Sequence, residues 1–309
     1  MSVYQGHSGL PDAARGAVLA LGNFDGVHKG HASVLAQAKQ LAETLGKRAG
    51  VAVFTPHPRR FFQPDAEPFG LMSDGQRVRA LQAEGAELVH HIRFDAALSQ
   101  MSPEAFVQDV LHTGLGAQGI VTGADFCFGK GRAGTAHDLA ALCAERDITA
   151  RVAEAVAETG GAGKISSSDV RAALRDGDPQ RAAALLGRPF AIEGEVSKGD
   201  QRGRTIGFPT ANVALGPYLR PKLGVYATRS HLADGRIIAG VANLGERPTV
   251  SGTDTRLEVH LFDFSEDLYG QTLETELMAF IRPEQKFDGL PALTAQIALD
   301  SDAARRILR

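Results

Sequence analysis

"AVLALGNFDGVHKGHASVLAQAKQLAETLG", residues 17–46, decides how the first half of the chain folds. Ala17–Leu21 is a short apolar run of strand length. Val34, Leu35, Ala38, Leu41, Ala42 and Leu45 then recur at helical spacing, and Gly46 is a natural C-terminal stop. Between strand and helix, glycines at 22, 26 and 30 let the backbone turn tightly and approach a ligand. The turn feeds a helix N-terminus, where free N–H groups and the dipole favour an anion. His28 and His31 sit three apart and share one face of the first turn. A metal site would need further ligands from elsewhere in the chain. A phosphate cradle needs only the imidazole and backbone N–H groups already present, and is the preferred reading. A turn with surface histidines is the plain alternative.

The same alternation runs outward to about residue 185. "GVAVFT" (50–55), "AELVHHI" (86–92), "QGIVTG" (118–123) and "ITARVAE" (148–154) read as strands. "SDGQRVRALQAEG" (73–85), "SPEAFVQDVLHTGL" (102–115) and "AHDLAALCAERD" (136–147) read as helices, the second with a Ser102 cap, Pro103 and Glu104. Strands separated by such helices predict a parallel sheet of βαβ units. Two short helices follow within 167–190. From Phe190 on, strand-like runs dominate, with a hairpin signal at "ADG" (233–235) and a helical return at the end. The second part is therefore expected to be a small antiparallel β-barrel with a terminal helix. The texture changes near Gly187-Arg188-Pro189, which predicts domains 1–186 and 187–309.

With 309 residues, two domains are the natural expectation. A net charge of −3 and no tryptophan give no basic stripe for a nucleic-acid partner. Cys127 and Cys143 fit neither a zinc pattern nor a disulfide framework, which points to a reducing compartment. No apolar run reaches ~18 residues, and the first residues lack the features of a secretory signal. A cytoplasmic protein with no membrane partner is expected. No exposed heptads are visible, so any homo-oligomer would use folded surfaces.

His-x-Gly-His after "GNFDG" resembles the adenylyl and cytidylyl transferases of the Rossmann-like nucleotidyltransferase superfamily. "FTPHPRRFF" (54–62), "GADFCFGKGRAG" (123–134) and "ISSSDVR" (165–171) lie in the order found in bacterial FAD synthetases. The resemblance implies transfer of the adenylyl group of ATP to FMN. His28 and His31 would serve the α-phosphate and the leaving group, within an ATP loop that includes Gly22, Asn23, Phe24, Asp25 and Gly30. Asn23 and Asp25 would position nucleotide or Mg²⁺, with plain turn formation as the alternative. Ser166, Ser167, Ser168 and Arg171 would hold the β- and γ-phosphates, arginine through its planar fork of donors. His57, Phe62, Asp125, Phe126 and Phe128 would bind flavin. Core packing competes for each phenylalanine, and a rigid loop position competes for His57. Cys127 stands where relatives commonly carry arginine or another polar residue.

"KGDQRGRTIGFPTANV" (198–213) lacks the ending of a Walker P-loop but resembles the riboflavin kinase signature Gly-x-Pro-Thr-Ala-Asn. Gly203 and Gly207 would fold over the phosphates. Thr210 and Asn212 offer hard oxygens to Mg²⁺. Glu258, in "RLEVHLFDF", aligns with that family's catalytic glutamate, and strand alternation puts His260 on its face. Arg282 would contact flavin or phosphate, with a surface ion pair as the alternative. Asn243 and the loop "GERPTV" (245–250) would shape the same site. Nearly the whole chain thus resembles the bifunctional riboflavin kinase/FAD synthetase family. Riboflavin, FMN and ATP would be its substrates, Mg²⁺ would be needed, and no tightly bound organic cofactor is required. Two rivals are another nucleotidyltransferase with an accessory barrel, and a flavin-binding regulator that has lost catalysis. "PTAN" with Glu258 weighs against the first, and the retained histidines and glutamate against the second.

Overall fold

Short apolar runs separated by amphipathic helices can bury both faces only as inner strands of a covered parallel sheet. The computed structural model, which describes residues 2–156, 163–198, 207–249 and 252–309, contains that sheet. Its first part runs β1 (Ser2–Gln5), β2 (Val18–Leu21), α1 (Lys29–Leu45), β3 (Ala49–Thr55), α2 (Pro58–Phe62), α3 (Asp74–Ala83) and β4 (Leu88–Arg93). Then come α4 (Ala96–Ser99), α5 (Pro103–Ala105), β5 (Gly119–Gly123), the short pair β6 (Cys127–Phe128) and β7 (Gly134–Thr135), α6 (Ala136–Ala144) and β8 (Thr149–Ala153). The six-stranded order is β1-β4-β3-β2-β5-β8, with every neighbour parallel. The order reverses between β2 and β5, and a ligand crevice forms at such a switch point, outside the strands' carboxyl ends.

Two elements differ from the sequence reading. Edge strand β1 was not expected; it is short and mostly exposed, so no alternation marks it. The helix starting at the Ser102 cap widens after α5 into a π-helical stretch, Phe106–Gly114, and the Leu115 N–H reaches back five residues to the Val110 carbonyl. That stretch buries Phe106, Val107, Val110 and Leu111.

The later part holds α7 (Ser167–Asp176), α8 (Pro179–Leu186), β9 (Phe190–Ser197), β10 (Ala211–Ala214), β11 (Gly224–His231), β12 (Ile237–Thr249), β13 (Gly252–Leu261), β14 (Thr272–Arg282) and a C-terminal helix, Leu290–Ile307. The strands close into an antiparallel barrel, β10-β13-β12-β11-β14-β9, with β9 pairing back to β10. Closure leaves no free sheet edge. Leu257, Val259, Leu273 and Leu277 are buried and alternate with less buried neighbours. Met1–Ala66 with Asp74–Ile165 form one compact unit; Glu67–Ser73 with Ser166–Arg309 form the other. Helices α7 and α8 thus belong with the barrel, where the Lys222 N–H donates to the Leu174 carbonyl at 3.0 Å. Residues 67–73 are clipped there by hydrogen bonds from Gly70 to Pro217 and from Leu219 to Gly70.

His90 on β4 is fully buried and stacks on Tyr4, ring centroids 5.4 Å apart. Burial above all pushes its pKa down to about 4 from 6.5, with Arg48 and His91 adding in the same direction. The fold keeps this ring neutral, whereas the unfolded chain takes up the proton below about pH 6.5. Stability should therefore be full above pH 6.5 and fall towards pH 4, by up to ~3 kcal/mol from this residue. Chemical denaturation followed across that window should show a shallower acid loss for His90→Leu than for the wild type. Equal slopes would remove His90 as the source.

Candidate active sites

The first site is built where β2 ends. Phe24 and Val27 take positive φ values of 51° and 39° although both carry side chains, and both are buried. For a β-branched residue this is a strained backbone, retained only where the surroundings hold it. The turn delivers His28 as the N-cap of α1 rather than as part of its first turn. His28 Nδ1 accepts from the His31 N–H at 3.3 Å. A ring nitrogen that accepts carries no proton, so the neutral ring presents Nε2–H as its donor. The two imidazoles stack with centroids 3.7 Å apart, and Phe24 lies 4.9 Å from His31. Gly30 packs tightly: a Cβ would stand 3.0 Å from the His28 ring and 3.1 Å from the Ile165 carbonyl. Among the described residues no group of three or more His, Cys, Asp or Glu could hold a metal.

β5 ends on the other side of the switch point and delivers Asp125. Its carboxylate meets Lys164 Nζ at 2.8 Å. Partial burial alone would raise its pKa, but Lys164 holds it below the usual range. Phe126 and Phe128 stack 5.8 Å apart, yet Phe128 is buried against Phe106 and belongs to the core. Cys127 Sγ makes a long contact to the Asp125 carbonyl, 3.7 Å. Cys143 is buried, which pushes its thiol up to about 11 and keeps it unreactive. His57 caps α2, Nδ1 accepting from the Arg59 N–H at 3.1 Å. Phe62, 61% exposed, sits edge-on to Phe61 and Phe94 and is the open aromatic of that cluster.

Sequence reasoning missed Arg77. On α3 it occupies an apolar-face position, four before the buried Leu81; a cation on such a stripe was the available signal. Nη1 donates to the Asn23 carbonyl at 3.3 Å, and Nη2 to Thr55 Oγ1 at 3.0 Å and Asp74 Oδ1 at 2.7 Å. Thr55 Oγ1 also meets His91 Nδ1 at 3.1 Å. Burial lowers the Arg77 pKa, while Asp74 and Asp25 oppose that shift. Asp25 is itself buried.

The "ISSSDVR" residues lie at the start of α7. Ser166 caps it: Oγ accepts from the Asp169 N–H and donates to Asp169 Oδ2 at 2.6 Å. Ser168 is exposed. Arg171 Nε donates to the Phe69 carbonyl at 2.9 Å, with the guanidinium 5.4 Å over the Phe69 ring.

In the barrel, register gathers the second site. Glu258 on β13 stands opposite Asn212 on β10 and opposite Asn243 on β12, so three adjacent strands set these side chains in one row. Glu258 is half-buried, while its neighbours Leu257 and Val259 face the core. Two residues on, His260 Nδ1–H donates to the Pro209 carbonyl at 2.9 Å and holds the "PTAN" segment. Asn212 Nδ2 donates to the Thr210 carbonyl at 3.4 Å, and Asn243 Nδ2 to Glu284 Oε1 at 3.2 Å. Asn212 Oδ1 is buried with no hydrogen-bond partner among the described residues. A hard, uncharged oxygen so placed, with Thr210 two residues away, fits Mg²⁺, which takes few protein ligands beside phosphates and water. Gly207 takes a positive φ of 84°, and Gly203 lies outside the described residues. Arg282 makes an ion pair, the alternative that its sequence left open. Its guanidinium is engaged by buried Asp300, Nη2–Oδ2 2.7 Å and Nε–Oδ1 3.0 Å, and Gln296 joins the pair.

A parallel sheet with a donor-lined switch point, and a closed barrel with a carboxylate between two amides, define an enzyme with two phosphate-transfer chemistries. A family model described as FAD synthetase matches residues 10–169, and one described as riboflavin kinase matches 186–308. The bifunctional riboflavin kinase/FMN adenylyltransferase of Bacillus subtilis (strain 168) is 39% identical, covering 94% of this chain and 92% of its own length. That of Escherichia coli (strain K12) is 39% identical, covering 99% and 97%. The crystal structure of a Streptococcus pneumoniae protein described as a macrolide-efflux protein overlays with a TM-score of 0.85 at 30% identity, covering 98% of both chains. Among the described residues, no helix is long and apolar enough to cross a membrane. The chain belongs to the bifunctional riboflavin kinase/FMN adenylyltransferase family: it phosphorylates riboflavin to FMN and adenylylates FMN to FAD.

Removing one partner of a buried, bidentate pair leaves the other charge uncompensated, at a cost of about 3–5 kcal/mol. Asp300→Ala should lower stability by that order in urea titrations of the full chain. A change within ~0.5 kcal/mol, the range of ordinary surface substitutions, would show the pair to be dispensable.

Proposed function

We propose that FAD forms at the β2/β5 switch point and FMN on the Asn212–Glu258–Asn243 row. The observation that carries the first assignment is the cap bond between the His31 N–H and His28 Nδ1. It leaves the neutral His28 ring with a single, directed donor. In FAD formation an FMN phosphate oxygen bonds to the α-phosphorus of ATP, and the bond to the pyrophosphate oxygen breaks. Negative charge grows on the α-phosphate oxygens and the leaving group. Fixed donors such as His28 Nε2–H and the His31 imidazole stabilise that charge, by ~3 kcal/mol each if they act as oxyanion-hole donors do. Asn23, Asp25 and Asp125 shape the pocket around the nucleotide and flavin, and Phe62 offers the open ring for stacking. No covalent intermediate on the protein is needed, because orientation and charge stabilisation suffice.

In FMN formation the primary ribityl hydroxyl of riboflavin attacks the γ-phosphorus of ATP, and ADP leaves. A hydroxyl must lose its proton, and Glu258 is the base that takes it. Asn212 and Asn243, in register on both sides, orient that carboxylate's surroundings. Asn212 Oδ1 and Thr210 would hold Mg²⁺, which when bound neutralises charge on the nucleotide phosphates. The reading places the chain in the cytoplasm, where ATP is supplied.

Chromatographic separation of flavins after incubation with riboflavin, ATP and Mg²⁺ tests both assignments. Glu258→Gln should slow FMN formation about 10²-fold or more while added FMN still becomes FAD. His31→Ala should accumulate FMN and lower FAD formation about 10²-fold. The reverse pattern, or an unaffected step in either variant, would discard the corresponding assignment. Asn212→Ala should raise the Mg²⁺ concentration needed for half-maximal FMN formation, and an unchanged Mg²⁺ dependence would remove it as a ligand.

A further inference from the structure

Arg77 is buried at 6% exposure, yet its ion-pair partner Asp74 is 61% exposed at the side chain. An Arg–Asp pair three residues apart on a helix forms readily at the surface and needs no burial. The guanidinium instead passes inward to the Asn23 carbonyl and Thr55 Oγ1. Placing a cation there carries a desolvation cost, so the inward contacts must return something the ion pair does not.

The contact to Asn23 falls at a specific bond. The Asn23 carbonyl belongs to the peptide plane immediately before Phe24, whose φ of 51° is the unfavourable one. A free carbonyl could rotate that plane and let Phe24 relax to an ordinary conformation. Arg77 Nη1 holds it in place. The held conformation turns the Phe24 ring onto His31, 4.9 Å between centroids, and His31 lies flat on His28 at 3.7 Å. Thr55, at the carboxyl end of β3, fixes the other side of the guanidinium and is tied in turn to His91.

We infer that Arg77 is a positioning residue for adenylyl transfer, holding the Asn23–Phe24 peptide so that Phe24 sets the orientation of the His31–His28 pair. It acts through the loop and touches no substrate. Only arginine spans the carbonyl, the hydroxyl and the carboxylate at once, because its donors form a rigid fork; lysine can make one such bond well. The inference rests on the reading of the histidines as the donors for FAD formation.

The test uses the full chain as wild type, Arg77→Met, Arg77→Lys, His31→Ala and Arg77→Met/His31→Ala. Steady-state FAD formation from FMN and ATP is measured, and riboflavin phosphorylation is followed in the same preparations. Arg77→Met should lower kcat for FAD formation about tenfold to a hundredfold, the size expected from a small misplacement of catalytic groups. KM for ATP should move less than kcat, since ground-state contacts are not removed. Riboflavin phosphorylation should stay within about twofold, and Arg77→Lys should recover part of the loss. Arg77→Met should add no more than about twofold to the His31→Ala defect, because the two act on one path. Wild-type FAD formation in either Arg77 variant, or losses that multiply fully in the double variant, would overturn the inference. If Arg77→Met does not fold, Arg77→Lys decides: a wild-type rate overturns it and a partial loss in kcat supports it. A His31→Ala enzyme with normal FAD formation would remove the underlying reading, whereas a defective His31→Ala beside a fully active Arg77→Met would remove only the role of Arg77.

Discussion

Parallel strands all send their carboxyl ends to one side, and a reversal of strand order leaves a gap there that no crossover helix fills. β2 and β5 flank that gap. Everything chemical in the first unit follows from it. The loop leaving β2 must turn at once into α1, which forces Phe24 and Val27 into left-handed backbone and makes His28 a cap. The loop leaving β5 delivers Asp125 into the same electrostatic neighbourhood. In the first loop Arg77 donates to the Asn23 carbonyl, and the strained residues Phe24 and Val27 are buried.

The barrel solves a different problem by register. A closed antiparallel barrel has no switch point, so a site must be assembled across neighbouring strands. Pairing that sets Leu257 opposite Val213 and Leu244 in the core also sets Glu258 opposite Asn212 and Asn243. A slip of one residue would bury the glutamate and expose the leucines. Packing of the core and alignment of the site are therefore the same constraint. The Arg282–Asp300 pair ties the end of β14 to the C-terminal helix.

Local signals made much of this legible. The apolar run, the glycines and the helical periodicity of residues 17–46 already describe β2, the turn and α1, and alternation around Glu258 already separates it from Leu257 and Val259. What could not be read depends on partners distant in the chain. Arg77 and Asn23 lie 54 residues apart, and no periodicity links them. The partner that Arg282 meets, Asp300, sits on a helix whose docking the sequence does not reveal. The capping box of Ser166 with Asp169 was itself legible as a Ser-x-x-Asp spacing. β1 stayed hidden because an exposed edge strand of four residues needs no pattern.

The two units also differ in what they ask of a carboxylate, and the nucleophiles explain why. An FMN phosphate oxygen is already an anion near neutral pH, so adenylyl transfer needs donors and gains nothing from a base. Asp125 is matched by Lys164, and Asp25 lies in the field of Arg77. Both negative charges are thereby compensated, which lessens their repulsion of two phosphorylated substrates. A ribityl hydroxyl is the opposite case: it stays protonated until something removes the proton as the bond to phosphorus forms. On the proposed assignment the barrel meets that need with Glu258, which strand register sets opposite Asn212 and Asn243. On the proposed assignments, donors at a helix start suit the first chemistry, and a base held in strand register suits the second.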